Sequence, residues 1–258
     1  MVFLHGFPEF WYEWKYQIAE FSKDHTVVAP DMRGYNLSAK PADLAAYQVP
    51  VLVEDIRALA ARLLKDAGAA KFTLVAHDWG GAIAWVFAAI HPEMLERLVI
   101  INAPHPTVFG RLLREDPAQQ RASQYMLMFR GPDAEQTLAA NNYQMLTSMV
   151  LGASLTDGTL TDDDRKEYVS AWSQPGALTG GLNYYRAAQI GPPAPADAKL
   201  MAPRSNERFE AATQPQAVRG SSPNASAARR PVESFARSTR RPSTLARMRR
   251  RALSRFRF

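Results

Sequence analysis

Residues 72–81 read FTLVAHDWGG, and this stretch decides the fold. Residues 72–76 form a short apolar run that suits a buried strand, and residues 80–90 continue with the spacing of a helix. Between them, AHDWG places a small residue two positions before and two positions after Asp78. This small-x-nucleophile-x-small pattern is typical of a nucleophile elbow, a strained strand-to-helix turn that presents one side chain at the carboxyl edge of a sheet.

The same alternation of strand and helix extends in both directions from this turn. Apolar runs bounded by turn residues predict buried strands, and apolar residues at helical spacing predict the helices between them. Strands that alternate with helices predict an α/β fold with a parallel sheet. The predicted strands are 1–4, 26–29, 72–76 and 98–101, and the predicted helices are 11–21, 51–67 and 80–90.

Beyond Pro104 the pattern changes to helices without strands, which continue to about Ala188. Thr161 precedes three aspartates and an apolar helical face, which predicts an N-cap with Asp164 as the capping-box acid. We therefore divide the chain into a partial α/β core (1–104), a helical cap or lid (105–190) and a tail (191–258).

The tail carries all of the excess positive charge. Residues 201–258 contain 14 Arg, no Lys and 3 Glu, a local net charge of +11 against +6 for the whole chain, which leaves −5 for residues 1–200. No periodic apolar pattern occurs there, so the tail is expected to be disordered. Its composition favours an out-of-frame reading of a GC-rich gene, which the coding DNA would test. A basic arm for nucleic acid is the alternative, although the arginines form no ordered helix face.

Composition excludes several classes of protein. The chain has no cysteine, which excludes disulfides and thiolate chemistry. No apolar run approaches the roughly 18 residues of a membrane span, and the first residues lack the basic region of a secretory signal. We expect a cytoplasmic protein that needs neither a cofactor nor a metal and does not bind a membrane.

Asp78 is the candidate nucleophile. A carboxylate in an elbow attacks saturated carbon and becomes an alkyl ester, whereas a serine there would attack acyl carbon. Taken alone, DWGG also fits an aspartate that caps a helix. The segment HGFPE (5–9) follows a predicted strand and suits a loop that supplies one N–H group of an oxyanion hole, so the amides of Phe7 and Trp79 are the predicted donors. His5 is expected to shape this loop rather than to act as a base.

Four motifs together resemble the epoxide hydrolases of the α/β-hydrolase superfamily, a subgroup with an aspartate nucleophile that also includes dehalogenases. They are HGFPEFWYEWKYQI, DMRGYNLSAKP, HDWGG and LNYYRA, and they cover about Met1 to Ala188. The resemblance implies a parallel sheet with a helical cap, a pocket between them, and a small apolar epoxide as substrate. It also implies that Tyr185 and Tyr125 hold and protonate the epoxide oxygen while Asp78 opens the ring.

Alternative functions follow from related families. Haloacetate dehalogenases are similar but carry arginines just after the nucleophile, where this chain has Trp79 and Ala82. Haloalkane dehalogenases commonly have Asn at the position of Phe7 and use it with a tryptophan to hold halide; Trp79 fits that role and Phe7 does not. A third reading is an inactive ligand-binding remnant with a nucleic-acid-binding tail.

The chain departs from the family's pattern after the cap and at its start. In the family, two further strands present an acid and a histidine that activates water, but the last histidine here is His105. Asn102, where some relatives place the acid, is not a carboxylate, and His105 is a poor replacement base. We therefore expect a sheet that is incomplete at both ends and an enzyme limited to a single turnover. Asn36 replaces a usual glycine and is expected to adopt a positive φ.

Overall fold

The computed structural model describes residues 1–193, and the predicted tail from residue 194 onward lies outside them. Three parallel strands form one sheet in the order β1–β2–β3. The strands are β1 (Val2–Leu4), β2 (Phe72–His77) and β3 (Leu95–Ile101). The predicted parallel α/β sheet is thus confirmed for these three strands.

The prediction of a strand over residues 26–29 is wrong. Only Val28 pairs with the sheet, through a single parallel bridge to Val2. Its amide donates to the Met1 carbonyl at 3.0 Å and its carbonyl accepts from the Phe3 amide at 2.9 Å. The segment does not extend because Pro30, which follows it, has no N–H to donate to a ladder. The neighbouring Thr26 carbonyl accepts from the terminal ammonium of Met1.

Helices lie on both faces of the sheet, as a parallel sheet requires. On one face, Ile83 and Phe87 pack with Leu74 and Ala76 of β2 in the main core. On the other face, Trp14 packs on Phe3 and Val75. The helices around the sheet are α1 (Lys15–Phe21), preceded by a 3-10 turn (Trp11–Trp14), α2 (Val49–Ala67) and α3 (Asp78–Ile90), with further 3-10 turns at Leu44–Tyr47 and Pro92–Met94.

After β3 the described chain is helical. Helix α7 is interrupted at residues 140–143, where Asn141 and Asn142 have φ of 50° and 55°. The helices are α4 (Pro106–Glu115), α5 (Pro117–Ala122), α6 (Tyr125–Arg130), α7 (Ala134–Leu146), α8 (Gly152–Thr156), α9 (Asp162–Trp172) and α10 (Ala177–Ala188), with a π-helical segment at Thr147–Leu151. None of the helices in residues 1–193 is both long enough and apolar enough to cross a membrane.

Specific hydrogen bonds tie α9 and α10 to the loops that follow β1 and Val28. The Trp172 indole donates to the Pro8 carbonyl at 2.6 Å, and the Tyr184 hydroxyl donates to the Arg33 carbonyl at 2.7 Å. The Tyr12 hydroxyl and the Lys15 ammonium both donate to Oδ1 of Asp164. The predicted capping box is confirmed, since the Thr161 side chain accepts from the Asp164 amide while Asp164 Oδ2 accepts from the Thr161 amide.

Replacing Asp164 with asparagine is expected to lower the free energy of unfolding and to make that free energy depend less on pH in acid. Burial alone would raise the pKa of Asp164, but the bonds from Lys15, Tyr12 and Thr161 lower it to about 2. The folded pKa is thus below the unfolded value, so this stabilisation is complete above pH 3.8 and is lost as the pH falls towards 2. The free energy of unfolding at pH 7 should fall by about 2 kcal/mol.

Chemical denaturation at pH 7, 4 and 2 measures this effect. The wild-type chain should lose more stability than the Asp164→Asn variant between pH 4 and pH 2. Asp163→Asn is the matched control, because Asp163 lies on the same helix with an exposed side chain that pairs with Lys166. Equal acid sensitivity in wild type and Asp164→Asn would contradict the assignment.

Candidate functional site

The turn between β2 and α3 has the geometry expected of an elbow. Asp78 follows the last residue of β2 directly and has φ of 47°, a left-handed conformation that strains a non-glycine residue. The Gly80 amide donates to the His5 carbonyl at 3.0 Å. A Cβ at Gly80 would lie 2.5 Å from that carbonyl oxygen, and one at Gly81 would lie 2.4 Å from the Ala103 Cβ. The two glycines are therefore required by close packing.

Two backbone amides hold the Asp78 carboxylate. The Phe7 amide donates to Oδ1 at 2.8 Å, and the Trp79 amide also donates to the side chain. Burial raises the pKa of Asp78, while these two hydrogen bonds and the nearby His77 oppose that rise. The structure thus brings together Asp78 and the two amides predicted for an oxyanion hole.

The Asp78 side chain opens into a cavity of about 320 Å³. The cavity lies between the carboxyl ends of β2 and β3 and the helices that follow β3. Its wall is mainly apolar, and Asn102, at the end of β3, contributes a carboxamide. The other lining residues are Trp79, Ala82, Ala103, Pro104, Pro106, Phe109, Gly110, Gln119, Ala122, Ser123, Tyr125, Met126, Tyr185 and Ile190.

Both predicted tyrosines line this cavity together with Asp78. Tyr185, on α10, is only 2% exposed, and its ring lies edge-on to Trp79 and Phe7 at centroid distances of 5.1 and 5.7 Å. Tyr125 begins α6. Burial raises the pKa of each tyrosine and the charge of Asp78 adds to the rise, so both phenols are protonated at neutral pH. Their arrangement fits proton donation, and their catalytic roles stay predictions.

The side chains of His5 and His105 each make hydrogen bonds to backbone groups. His5 Nε2 accepts from the Met32 amide at 2.9 Å, and its Nδ1 lies 3.0 Å from the Gly6 carbonyl. Burial lowers the pKa of His5 to about 4, so it is a neutral residue that connects two loops. His105 caps α4 through the Thr107 amide and does not line the cavity.

A buried acidic cluster beside Asp78 was missed by the sequence analysis. Burial, then the charge of Glu13, raises the pKa of Glu9 to about 8. Burial also raises the pKa of Glu13, whose Oε2 lies 3.3 Å from His77 Nδ1. Two acids four residues apart in an otherwise aromatic segment were the available signal. Among residues 1–193 no set of three side chains could hold a metal ion.

Gly6→Ala is expected to destabilise the protein strongly, because Gly6 contacts Asp78 directly. An alanine Cβ there would lie 2.3 Å from both the Cβ and Oδ1 of Asp78, and the Asp78 Cβ is fixed by the turn. The cost should be about 3 kcal/mol or more in the free energy of unfolding. Gly110→Ala is the control: the nearest atom to its Cβ would be Arg114 Nη1 at 3.6 Å, so no loss is expected. Denaturation monitored by circular dichroism compares the two, and equal stability of both variants would contradict the packing argument.

Comparison with known proteins places the chain among α/β-hydrolases. The model of the alpha/beta hydrolase fold family matches residues 1–185. Epoxide hydrolase 4 of Mus musculus is 41% identical over 191 residues, covering 72% of this chain and 52% of that protein. AB hydrolase superfamily protein YfhM of Bacillus subtilis (strain 168) is 43% identical over 193 residues, covering 74% of this chain and 66% of that protein.

Solved structures give the same result. The crystal structure of Bacillus megaterium epoxide hydrolase in complex with an inhibitor matches with a TM-score of 0.67 and 43% identity, covering 72% of this chain and 64% of that chain. An epoxide hydrolase from Vigna radiata, VrEH1, matches with a TM-score of 0.58 and 33% identity, covering 72% of this chain and 63% of that chain. The chain spans between about half and two thirds of the length of these relatives.

Proposed function

Because the chain belongs to the alpha/beta hydrolase fold family, we propose that it binds a small apolar epoxide and opens the ring through attack by Asp78. One observation carries the proposal: a carboxylate and two protonated phenols, Tyr125 and Tyr185, line the same mainly apolar cavity. An epoxide needs these two functions together, a nucleophile at carbon and a proton donor at oxygen.

The first half of the reaction uses the oxygen of Asp78 that the Phe7 amide does not hold. Oδ1 is held by the Phe7 amide, so Oδ2 forms the new bond to an epoxide carbon. The ring C–O bond breaks, and its electron pair passes to the epoxide oxygen. That oxygen takes a proton from Tyr185 or Tyr125, because the proton stabilises the negative charge that develops on the oxygen as the C–O bond breaks. The product of this half is an alkyl ester of Asp78.

The second half is hydrolysis of that ester. Water adds to the ester carbonyl carbon, and the Phe7 amide, which already contacts Oδ1, stabilises the resulting oxyanion together with the Trp79 amide. Collapse breaks the bond between the carbonyl carbon and the alkyl oxygen, which leaves as the second hydroxyl of the diol with one proton of the water. The other proton of the water returns to the tyrosine that gave up its proton in the first half, and the Asp78 carboxylate is restored. Among residues 1–193 no histidine lines the cavity, so we propose that this half is slow and that the ester accumulates.

The lining of the cavity disfavours the hypothesis that the chain is a haloacetate dehalogenase. No lysine or arginine of the described residues lines the cavity, so nothing there would pair with a substrate carboxylate. A neutral haloalkane remains the second candidate, because Asp78 and Trp79 line the mainly apolar cavity together, although Phe7 stands where haloalkane dehalogenases commonly have the Asn that helps to hold halide.

Incubation with styrene oxide followed by intact mass measurement tests the proposal. We expect one adduct per chain, located at Asp78 by peptide mapping, with little diol released after the first equivalent. Styrene glycol produced over many turnovers would contradict the proposed slow second half. Protection of the fold against heat without any adduct would instead support a binding-only remnant, and faster adduct formation with 1-bromohexane would favour the dehalogenase reading.

A further inference from the structure

A second and much smaller cavity lies beside the loop that follows β1. Its volume is about 10 Å³, close to the space that one water molecule requires. Phe7 and Glu9 line it from that loop, Tyr35 lines it from the loop that follows Val28, and Trp172 and Leu178 close it from the helical layer.

Two polar atoms on residues that line this cavity have no protein partner among the described residues. They are Oε2 of Glu9 and the hydroxyl of Tyr35, and both are fully buried. Tyr35 as a whole is only 4% exposed. A buried polar group without a hydrogen-bond partner is costly, and native proteins contain few of them. Two residues that line one cavity each carry such an atom, which points to a shared partner that is not part of the protein.

We propose that this cavity is a binding site for one internal water molecule that bridges Tyr35 and Glu9. The water accepts a hydrogen bond from the Tyr35 hydroxyl and donates one to Glu9 Oε2. Tyr168 hydrogen-bonds the Glu9 carboxyl, and the water supplies the partner that Glu9 Oε2 lacks. A metal cation fits poorly, because it would need about six oxygen ligands, whereas this cavity of about 10 Å³ is lined mainly by apolar side chains.

The bridge makes Glu9 and Tyr35 positioning residues for the Phe7 amide. Phe7 lines the water cavity and donates its amide to Asp78 Oδ1, and Glu9 is two residues further along the same loop. A water held between Glu9 and Tyr35 therefore fixes this loop against the loop after Val28. Only the consequence for catalysis rests on the proposed function; the water site itself does not.

The first experiment is a crystal structure of the full chain at a resolution that resolves ordered waters. We expect one water within hydrogen-bonding distance of Glu9 Oε2 and the Tyr35 hydroxyl. An empty cavity, or a direct hydrogen bond between Glu9 and Tyr35, would overturn the proposal.

The second experiment follows hydrogen exchange of the Phe7 amide by NMR, relative to the Leu74 amide in β2. Tyr35→Phe and Glu9→Met each remove one end of the bridge, and the Phe7 amide should exchange roughly tenfold faster relative to Leu74. Glu9→Gln keeps an acceptor for the water and should restore most of the protection. If Glu9→Gln behaves like Glu9→Met, the bridge is contradicted.

Tyr47→Phe is the matched control for these variants. Tyr47 is also buried, but its hydroxyl already donates to the Pro41 carbonyl at 2.9 Å and it does not line the small cavity. It should leave the ratio of Phe7 to Leu74 exchange unchanged, and an equal change in all variants would contradict a local bridge. Neither experiment uses an epoxide, so a failure of the water site and a failure of the proposed chemistry are distinguishable.

Discussion

Asp78→Asn is expected to lower the rate of covalent capture of styrene oxide by at least about 1,000-fold. A neutral carboxamide is a far weaker nucleophile than a carboxylate, and no other ionised group lines the cavity among residues 1–193. The fold should survive, because asparagine tolerates the φ of 47° at this position and its side-chain oxygen can still accept from the Phe7 amide.

Intact mass measured over time gives the rate directly, and circular dichroism checks that the variant is folded. Asp116→Asn is the control: Asp116 caps α5 through its side chain, asparagine can also cap, and Asp116 does not line the cavity. Its adduct should form at the wild-type rate. An adduct that forms equally fast in the Asp78→Asn chain would show that another residue is the nucleophile.

Local sequence patterns predicted the part of the structure that local geometry controls. The α/β-hydrolase fold is confirmed, as are the parallel order of β1, β2 and β3 and the helices predicted before and after β2. Asn36 has φ of 40°, as expected for a residue in place of glycine. The helices and the φ of Asn36 depend on a few adjacent residues, whereas the fold was predicted from the alternation of strands and helices and from the resemblance of four motifs to a known family.

Features that depend on distant contacts were predicted less well. β3 begins at Leu95, three residues earlier than predicted. The prediction relied on a continuous apolar run, and the exposed, charged Glu96 and Arg97 interrupt that run. The cluster of Glu9, Glu13 and His77 forms through space across 64 residues of sequence. The burial that raises the pKa of Glu9 depends on the whole fold, so the spacing of Glu9 and Glu13 marks the two acids but does not predict that they are buried.

The candidate site lies between these two cases. Asp78 was predicted from the residues of its own turn. The two tyrosines lie on helices α6 and α10, and no local sequence pattern connects these helices to β2. The resemblance of LNYYRA to the epoxide hydrolases supplied Tyr185, and the structure places both tyrosines at the cavity of Asp78. The missing carboxyl-terminal acid and histidine concern residues outside the described range from 194 onward, and stay a prediction.

Tyr185→Phe is expected to slow adduct formation by about 100-fold to 1,000-fold, since a positioned general acid contributes factors of this order. The ring packing on Trp79 and Phe7 is kept, so only the hydroxyl is lost. Tyr125→Phe should have a smaller but similar effect, because Tyr125 is less enclosed. If both phenols donate to one oxygen, the double variant should lose less than the product of the two single effects.

Tyr184→Phe is the matched control for this effect. Tyr184 is the neighbouring buried tyrosine on α10, but its hydroxyl donates to the Arg33 carbonyl and it does not line the cavity. This variant should lose stability, about 1–3 kcal/mol for the unsatisfied carbonyl, while its folded fraction forms the adduct at the wild-type rate. Equal rate losses in Tyr184→Phe and Tyr185→Phe would show that packing rather than proton donation is responsible.

The pH profile of adduct formation separates the acid from the nucleophile. The raised pKa of Tyr185 keeps its hydroxyl protonated above pH 10, so the wild-type rate should not fall as the pH passes through 10, the ordinary pKa of tyrosine. At the acid end the reactive form is the Asp78 carboxylate, whose pKa is also raised, so the rate should fall at a pH above 3.8. Tyr185→Phe should keep the acid limb and lower the plateau. A loss of rate centred on pH 10 in the wild type would mean that the proton donor is an exposed phenol and not Tyr185.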